Sequence, residues 1–396
     1  MDHWADVASL ASVPPSPETP PNVALDALTV RSITPAEHRA FVQARDSASF
    51  LQTPAWGEVK SDWRHESIGW FDSDEMVGAA LVLYRKLPKL KRFLAYLPEG
   101  PVLDWSSPQL PDGLAAMAQH LAGRGAFAVR IGPPVVCRRW RAETVKKAIA
   151  DSTHRRLGDV PADVREPLAD QVRATLRAGG WRPTAGGGEG FAPGQPQLVF
   201  QIPLAGRSED DLLRGMNQLW RRNIKKAAKA GVVVSRGGAD DLAAFHGAYT
   251  ETAERDHFSP RPLRYFEQMY AAMTREDPDR IRLYLAHHEG DLVAATTWVW
   301  VGDHTWYSYG ASTGAKRDVR GSNAIQWQMI RDALAAGASV YDLRGITDTL
   351  DEHDHHFGLI QFKVGTGGEA VEYVGEWDLP ISRLLYRGFD LYLRRR

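Results

Sequence analysis

Between Leu212 and Ala239 the sequence carries seven basic side chains, Arg214, Arg221, Arg222, Lys225, Lys226, Lys229 and Arg236, and no acidic one. QLWRRNIKKAAKAG predicts a helix in which Trp220, Ile224, Ala227 and Ala228 form one apolar stripe and Gly231 ends the run. Arg221, Arg222, Lys225, Lys226 and Lys229 occupy the remaining surface. A solvated helix face ordinarily mixes Lys with Glu; like charges one turn apart cost roughly a few tenths of a kcal/mol per pair. An anion relieves that repulsion, and the lack of interleaved aromatics favours phosphate contact over base stacking. VRGSNA, residues 319–324, is a basic Gly-containing loop opening a second helix, a weaker relative of phosphate-binding loops; no GxxxxGK[ST] is present. DEHDHHF, residues 351–357, sets His353, His355 and His356 among three acids. Imidazoles spaced this tightly rarely converge on one ion, so a polar loop over the site is expected and no metal. Cys137 is the sole cysteine, with no His near it in sequence, and reads as a quiet, half-buried thiol.

These residues need a scaffold. A chain of 396 residues has the natural length of two domains, and 43% hydrophobic content with 13 Trp gives material for their cores. A net charge of −1 confines any nucleic-acid contact to a local patch. The N-terminus lacks a basic start and a long apolar run, and no segment reaches the roughly 18–20 apolar residues of a membrane span; a cytoplasmic protein is expected. Five prolines before residue 22 make 1–26 a disordered leader. Thr34, Pro35 and Glu37 spell a helix start, as does Ser208 before its acids. HESIGWFDSDEMVGAALVLYRKL and IRLYLAHHEGDLVAATTWVWV both read as hairpins, with matching parts about 216 residues apart. That recurrence predicts an internal duplication, two related α/β (α+β) domains. The Gly/Pro-rich AGGWRPTAGGGEGFAPGQPQ marks the junction. Domain 1 is expected over 27–196, completed by 372–396, and domain 2 over 197–371.

Eight stretches carry a family likeness in order: FLQTPAWGEVKSDW, YLPEGPVLDW, RRNIKKAAKAGV, RPLRYFEQM, WYSYGAS, YDLRGI, QFKVGTGG and EYVGEWD. Together they resemble the Fem family of aminoacyl-tRNA-dependent transferases, from about residue 28 to the C-terminus. The resemblance implies two domains, each like a GNAT acetyltransferase, and the compact form of the family, since no coiled-coil arm follows the basic helix. It implies transfer of an amino acid from aminoacyl-tRNA to the stem-peptide amine of a peptidoglycan precursor, either lipid II or UDP-MurNAc-pentapeptide, to build the interpeptide bridge. Glycine is favoured as the amino acid, with alanine and serine open. An aminoacyl ester is already activated, so no cofactor is implied. The enzyme need only align amine and ester, stabilise an oxyanion and hold two polyanions. The basic helix would then meet the tRNA.

The resemblance also assigns residues. Lys60 and Arg261 match cations for the acceptor phosphates, Tyr265 and Tyr309 match acceptor-site tyrosines, and Phe127 stands where an aromatic contact is expected. Phe362 and Lys363 are the catalytic candidates: Lys363 for the oxyanion or the tRNA terminus, Phe362 for packing the terminal adenosine. Glu376 matches a family acid near the site. Compact members can carry an acid where this chain has Gly132. Substrate-assisted deprotonation of the amine is therefore the leading expectation, with Asp104 as the fallback base. The C-terminal LLYRGFDLYLRRR is amphipathic and able to rest on an anionic membrane. A monomer is the default. Two other readings stay open: a Fem-like tRNA-dependent peptide ligase of secondary metabolism, and a CoA-dependent N-acyltransferase suggested by VRGSNA.

Overall fold

The computed structural model describes residues 28–394 apart from 89, 152, 185–193 and 355–356, and side chains as far as Leu391. The expected leader, residues 185–193 of the Gly-rich junction and His355–His356 lie outside the described residues.

One order of elements occurs twice. The first copy runs strand Thr29–Ser32, helices Pro35–Gln43 and Pro54–Val59, strands Arg64–Asp72, Glu75–Lys86 and Phe93–Leu97, helix Leu110–Gly123 and strand Ala126–Ile131. The second runs strand Val233–Gly237, helices Leu242–Asp256 and Leu263–Glu276, strands Ile281–His288, Asp291–Val301 and His304–Ser312, helix Gly321–Ala335 and strand Val340–Gly345. In each copy the first four strands pair antiparallel and the last two run parallel across a helix. Each long hairpin also carries a register shift beside its turn, at Trp70/Phe71 and at Ala286/His287. Glu289 and Gly290, both left-handed, make the tight second turn. The fold is thus α/β with two mixed sheets, of seven and nine strands. The longest described helices have 15 residues, so no coiled-coil arm is present among the described residues.

The last strand of each copy gains an antiparallel partner from outside that copy. Trp377–Pro380 pairs with Ala126–Ile131, and Leu198–Pro203 with Val340–Gly345. The sheets do not divide at 196/197, because Val136–Arg141 and Val164–Arg165 sit in the second sheet beyond Glu369–Tyr373. Val136–Arg141 presents Trp140 to the second core and Cys137 to the first. A strand with both faces committed shows no alternation that assigns it to one sheet. A shared core joins the halves: Phe50, Leu51 and Trp56 pack with Met269, Met273, Val299 and Trp306.

The expected helix starts are present as reciprocal capping boxes, Thr34 with Glu37 and Ser208 with Asp211. Gly231, at φ +81°, ends the basic helix Gln218–Ala230 in the left-handed conformation that favours glycine. Its buried stripe is Trp220 and Ala227 with half-buried Ile224; Ala228, expected on that stripe, is exposed.

Candidate active site

Helix Pro54–Val59 lies antiparallel against Leu263–Glu276. Glu276 caps its start by accepting from Ala55 N at 2.9 Å, and Arg275 pairs with Glu58 at 2.8 Å. This packing carries Lys60, just past the first helix, to Arg261 and Tyr265 at the start of the second. Lys60 Nζ lies 5.0 Å from the Trp56 ring centre and 5.4 Å from that of Tyr265; the Arg261 guanidinium lies 4.6 Å from Tyr265. The Tyr265 and Tyr309 hydroxyls are 3.1 Å apart. Burial, and then the Arg261 charge, push the Lys60 amine down to about 8. Among the described residues neither cation has an ion-pair partner. One copy of the repeat supplies Lys60 and the other Arg261, so the cationic spot exists only when both halves pack.

Below the shared core a cavity of about 330 Å³ opens between the sheets. Glu99, Arg139, Asp342, Arg344 and Glu376 supply its charges, and Ser49, His304, Gln201 and Tyr373 also line it. Arg344 pairs with Glu99 at 2.9 Å, and Ser49 Oγ donates to the other Glu99 oxygen at 2.5 Å. Both Glu99 (φ +48°) and Arg344 (φ +63°) hold left-handed backbone, a costly conformation for such side chains that concentrates at functional sites. Burial raises the Glu376 carboxyl above its usual range, only partly offset by the Tyr96 hydroxyl, which donates at 2.5 Å, and by Arg130. Burial would also raise Asp342, but His304, Arg344 and Gln201 together hold it low. A Cβ at Gly132 would lie 3.1 Å from Glu99 N. Any side chain there would crowd the Glu99 backbone, with Glu376 Cγ 3.6 Å away.

Phe362 and Lys363 lie on the last turn of helix Phe357–Val364, beside a second cavity of about 340 Å³. Phe362 lines the second cavity. Lys363 is 3% exposed, and its Nζ donates to the carbonyls of Gly345 at 2.6 Å and Arg344 at 3.3 Å, at the edge of the first. Burial pushes its amine down to about 7, against the opposing pull of Asp342. Two carbonyl acceptors leave the third N–H of the ammonium form free for another acceptor. The second cavity is cationic at its other end, where Arg317 and Arg320 precede helix Gly321–Ala335. Neither arginine has an ion-pair partner among the described residues, whereas Lys316 is held by Glu289 and Asp291. Gly321 must be glycine, since a Cβ would sit 2.7 Å from Val293.

The basic helix supplies the adjoining wall through Leu219, Trp220 and Asn223. Trp220 ties it to Phe362, donating to Phe362 O at 2.8 Å with the rings 4.8 Å apart. Arg222, Lys225, Lys226 and Lys229 form no ion pair among the described residues. Arg221 instead donates to the carbonyls of Met216 and Arg214 and clamps the turn before its own helix.

Two expected contacts stand elsewhere. Phe127 is 1% exposed, edge-on to Phe389 at 5.5 Å, in a small core remote from both cavity linings. Asp104 sits on an exposed loop, where Ser106 donates to it from Oγ (2.6 Å) and N (2.9 Å) and lowers its pKa, which makes it a poor base. Asp104→Asn is expected to change kcat by no more than about twofold; a collapse of kcat at unchanged acceptor affinity would return the base role to it. Cys137 is buried, which pushes its thiol up to about 12, an unreactive state. No metal-type cluster of His, Cys, Asp and Glu occurs among the described residues.

Sequence reasoning missed Glu99, His304, Asp342 and Arg344 as cavity residues. Glu99 and the pair Asp342 and Arg344 lie within YLPEGPVLDW and YDLRGI, so the signal was a charged residue inside each motif. What joins them is strand order, which no local pattern encodes.

The FemAB family model matches residues 33–289 and 284–393. The lipid II:glycine glycyltransferase of Staphylococcus saprophyticus is 25% identical over 418 residues, covering 90% of this chain and 94% of that protein. That of Staphylococcus aureus is 25% identical over 422 residues, covering 90% and 93%. The crystal structure of FemX matches with a TM-score of 0.77 at 24% identity, over 91% of this chain and 99% of that one. L-PGS from Bacillus licheniformis shares the general fold, with a TM-score of 0.52 at 10% identity over 92% and 97%. With the family model spanning nearly all the described residues, the chain belongs to the FemAB family.

Proposed function

We propose that this protein is a transferase that moves glycine from glycyl-tRNA to the stem-peptide amine of lipid II, beginning or extending an interpeptide bridge. The observation that carries the reading is that Phe362 lines one cavity while the buried amine of its neighbour Lys363 reaches the carbonyl of Arg344, which lines another of different character. One is rimmed by the unpaired Arg317 and Arg320 and flanked by the basic helix, which suits the phosphates at the end of an RNA. The other holds carboxylates and two arginines already engaged by acids, Arg139 by Glu369 and Arg344 by Glu99, which suits a peptide amine. Glycine and lipid II come from the activity named for the staphylococcal relatives.

The chemistry follows from the positions. Lys60 and Arg261 hold the acceptor pyrophosphate, with Tyr265 and Tyr309 as the apolar and hydrogen-bonding floor. The stem peptide enters the cavity between the sheets, where Glu99 and Glu376 receive its ammonium group. The amine loses its proton to substrate or water and attacks the ester carbonyl. The C–N bond forms as the ester C–O bond breaks, and the tRNA 3′-terminal ribose leaves as its hydroxyl. The free N–H of the Lys363 ammonium meets the oxyanion, and Phe362 packs the terminal adenine. No cofactor is required.

The test is transfer of label from Gly-, Ala- and Ser-tRNA to lipid II and to UDP-MurNAc-pentapeptide, with acetyl-CoA as a competing donor. Label on lipid II from Gly-tRNA is expected. Transfer from acetyl-CoA alone would replace the reading with a CoA-dependent acyltransferase, whose pyrophosphate the Arg317–Arg320 site would also suit. Gly-tRNA consumption onto a different amine would indicate the secondary-metabolite ligase. Replacing Arg222, Lys225, Lys226 and Lys229 by Gln is expected to lower the salt slope of tRNA binding by about 2–4. An unchanged slope would remove the basic helix from the RNA surface.

A further inference from the structure

Helix Arg383–Arg394 closes the chain against the first sheet. Phe389, Leu385 and Tyr386 pack on Phe127 and Leu94, and the Tyr386 hydroxyl donates to Asp378 at 2.9 Å. Its outer face is unusual. Leu384 is 81% exposed, the greatest exposure of any large apolar side chain among the described residues, and Leu391, two turns on along the same face, is 50% exposed. Arg383 and Arg387 are exposed beside them. Leu87, from the turn between strands Glu75–Lys86 and Phe93–Leu97, packs on the same small cluster. That turn repeats the chemistry: Leu90 is 45% exposed, among the exposed cations Lys86, Lys91 and Arg92. Of eight exposed large apolar side chains among the described residues, three (Leu90, Leu384 and Leu391) belong to these two elements, and a fourth, Ile381, lies just before the helix. Lys86, Lys91, Arg92, Arg383 and Arg387 form no ion pairs among the described residues. Asp390 is the only acid within 85–92 and 383–391.

We infer that these two elements form one docking face for the surface of an anionic lipid bilayer. A protein partner of this size would ask for a continuous apolar core. Leucines spaced singly among cations instead match an interfacial helix, whose apolar side chains enter the headgroup layer while arginines meet lipid phosphates. The two elements are some 300 residues apart in sequence, so the shared composition is not a local accident. No described helix is long and apolar enough to cross a membrane, so contact by this face is peripheral. Two short apolar anchors give weak, reversible binding, suited to an enzyme that must leave the surface to exchange its donor. The face is separate from Lys60, Arg261 and both cavities, and the inference does not rest on the reaction proposed above.

The experiment is co-sedimentation of the full chain with vesicles of phosphatidylcholine alone and with phosphatidylglycerol added, using the parent, Leu384→Asp/Leu391→Asp, and Lys86→Glu/Lys91→Glu/Arg92→Glu. All these positions are exposed, and thermal melts verify folding. Expected are binding to anionic vesicles that weakens with salt, loss by about tenfold or more in each variant, and little binding to neutral vesicles. Transfer to soluble UDP-MurNAc-pentapeptide should be unchanged in both variants, which separates failure of this inference from failure of the proposed function. Equal binding by parent and variants, binding lost only when Arg222, Lys225, Lys226 and Lys229 are replaced, or no binding by the parent would each overturn it.

Discussion

Lys363→Met is expected to lower the rate of the transfer step by about 10²–10³-fold, the typical loss when one oxyanion donor is removed, while acceptor affinity stays near that of the parent. The expectation follows from where the ammonium sits. It is buried, tied to the carbonyls of Arg344 and Gly345, and has one N–H to spare. Met fills similar volume but leaves the Arg344 and Gly345 carbonyls without this donor, so thermal melts accompany the rate measurement. Two pH readouts set this apart from a structural role. Burial depresses the amine to about 7 from 10.5. If the charged form acts, the single-turnover rate falls as pH rises through about 7, and in Lys363→Arg that descending limb moves up. For stability, the unfolded chain binds a proton at Lys363 between about pH 7 and 10.5 that the folded chain does not, so this residue makes stability rise with pH over that window. The burial cost is fully present below it. Lys363→Met removes that slope and is relatively more stable at pH 6 than at pH 9, measured by thermal melts. A rate unchanged in Lys363→Met would end the oxyanion role.

Arg261→Ala is expected to raise KM for the acceptor by about 10–100-fold with a much smaller change in kcat, the worth of a charge-assisted phosphate contact. Lys60 and Arg261 share the Tyr265 ring without an anion of their own. The Arg261 charge disfavours that of Lys60, and a pyrophosphate between them would remove that cost. Lys60 loses its proton near pH 8, so parent affinity should weaken as pH rises through 8. Lys60→Arg should hold affinity to higher pH, while Lys60→Met should be weak at every pH. An acceptor lacking phosphates should be insensitive to all three changes. If Arg261→Ala lowered kcat alone, the pair would belong to the reacting centre instead.

Local chemistry was legible where one element decides it. The capping pattern at Thr34, the basic helix ending at Gly231 and the paired hairpins could be read because each depends on neighbours in sequence. The repeated order of elements followed from those hairpins. The resemblance brought Lys60, Arg261, Tyr265 and Tyr309 to notice, and the structure brings them together. Long-range pairing was not legible. Val136–Arg141 crosses to the second sheet because both its faces are buried, and Phe127 belongs to a core completed by Phe389 from the far end of the chain. Arg221 looked like one more surface cation, yet its Nη1 donates to carbonyls at the foot of its own helix. The ion pair of Glu99 and Arg344 requires two left-handed residues from different halves to meet. Lys363 stood out as a candidate, but its depressed amine arises from burial, with the Arg344 charge adding to it and Asp342 opposing.

The most direct test of the two-cavity account is photo-crosslinking of a glycyl-minihelix RNA carrying an azido group on its 3′-terminal adenine, with mapping by mass spectrometry. Crosslinks are expected at Phe362 and at neighbouring residues of the Arg317–Arg320 cavity, reduced by unlabelled aminoacyl-RNA and unaffected by excess UDP-MurNAc-pentapeptide. Crosslinks centred on Glu99 and His304, displaced by the acceptor, would place both substrates in one cavity and contradict it.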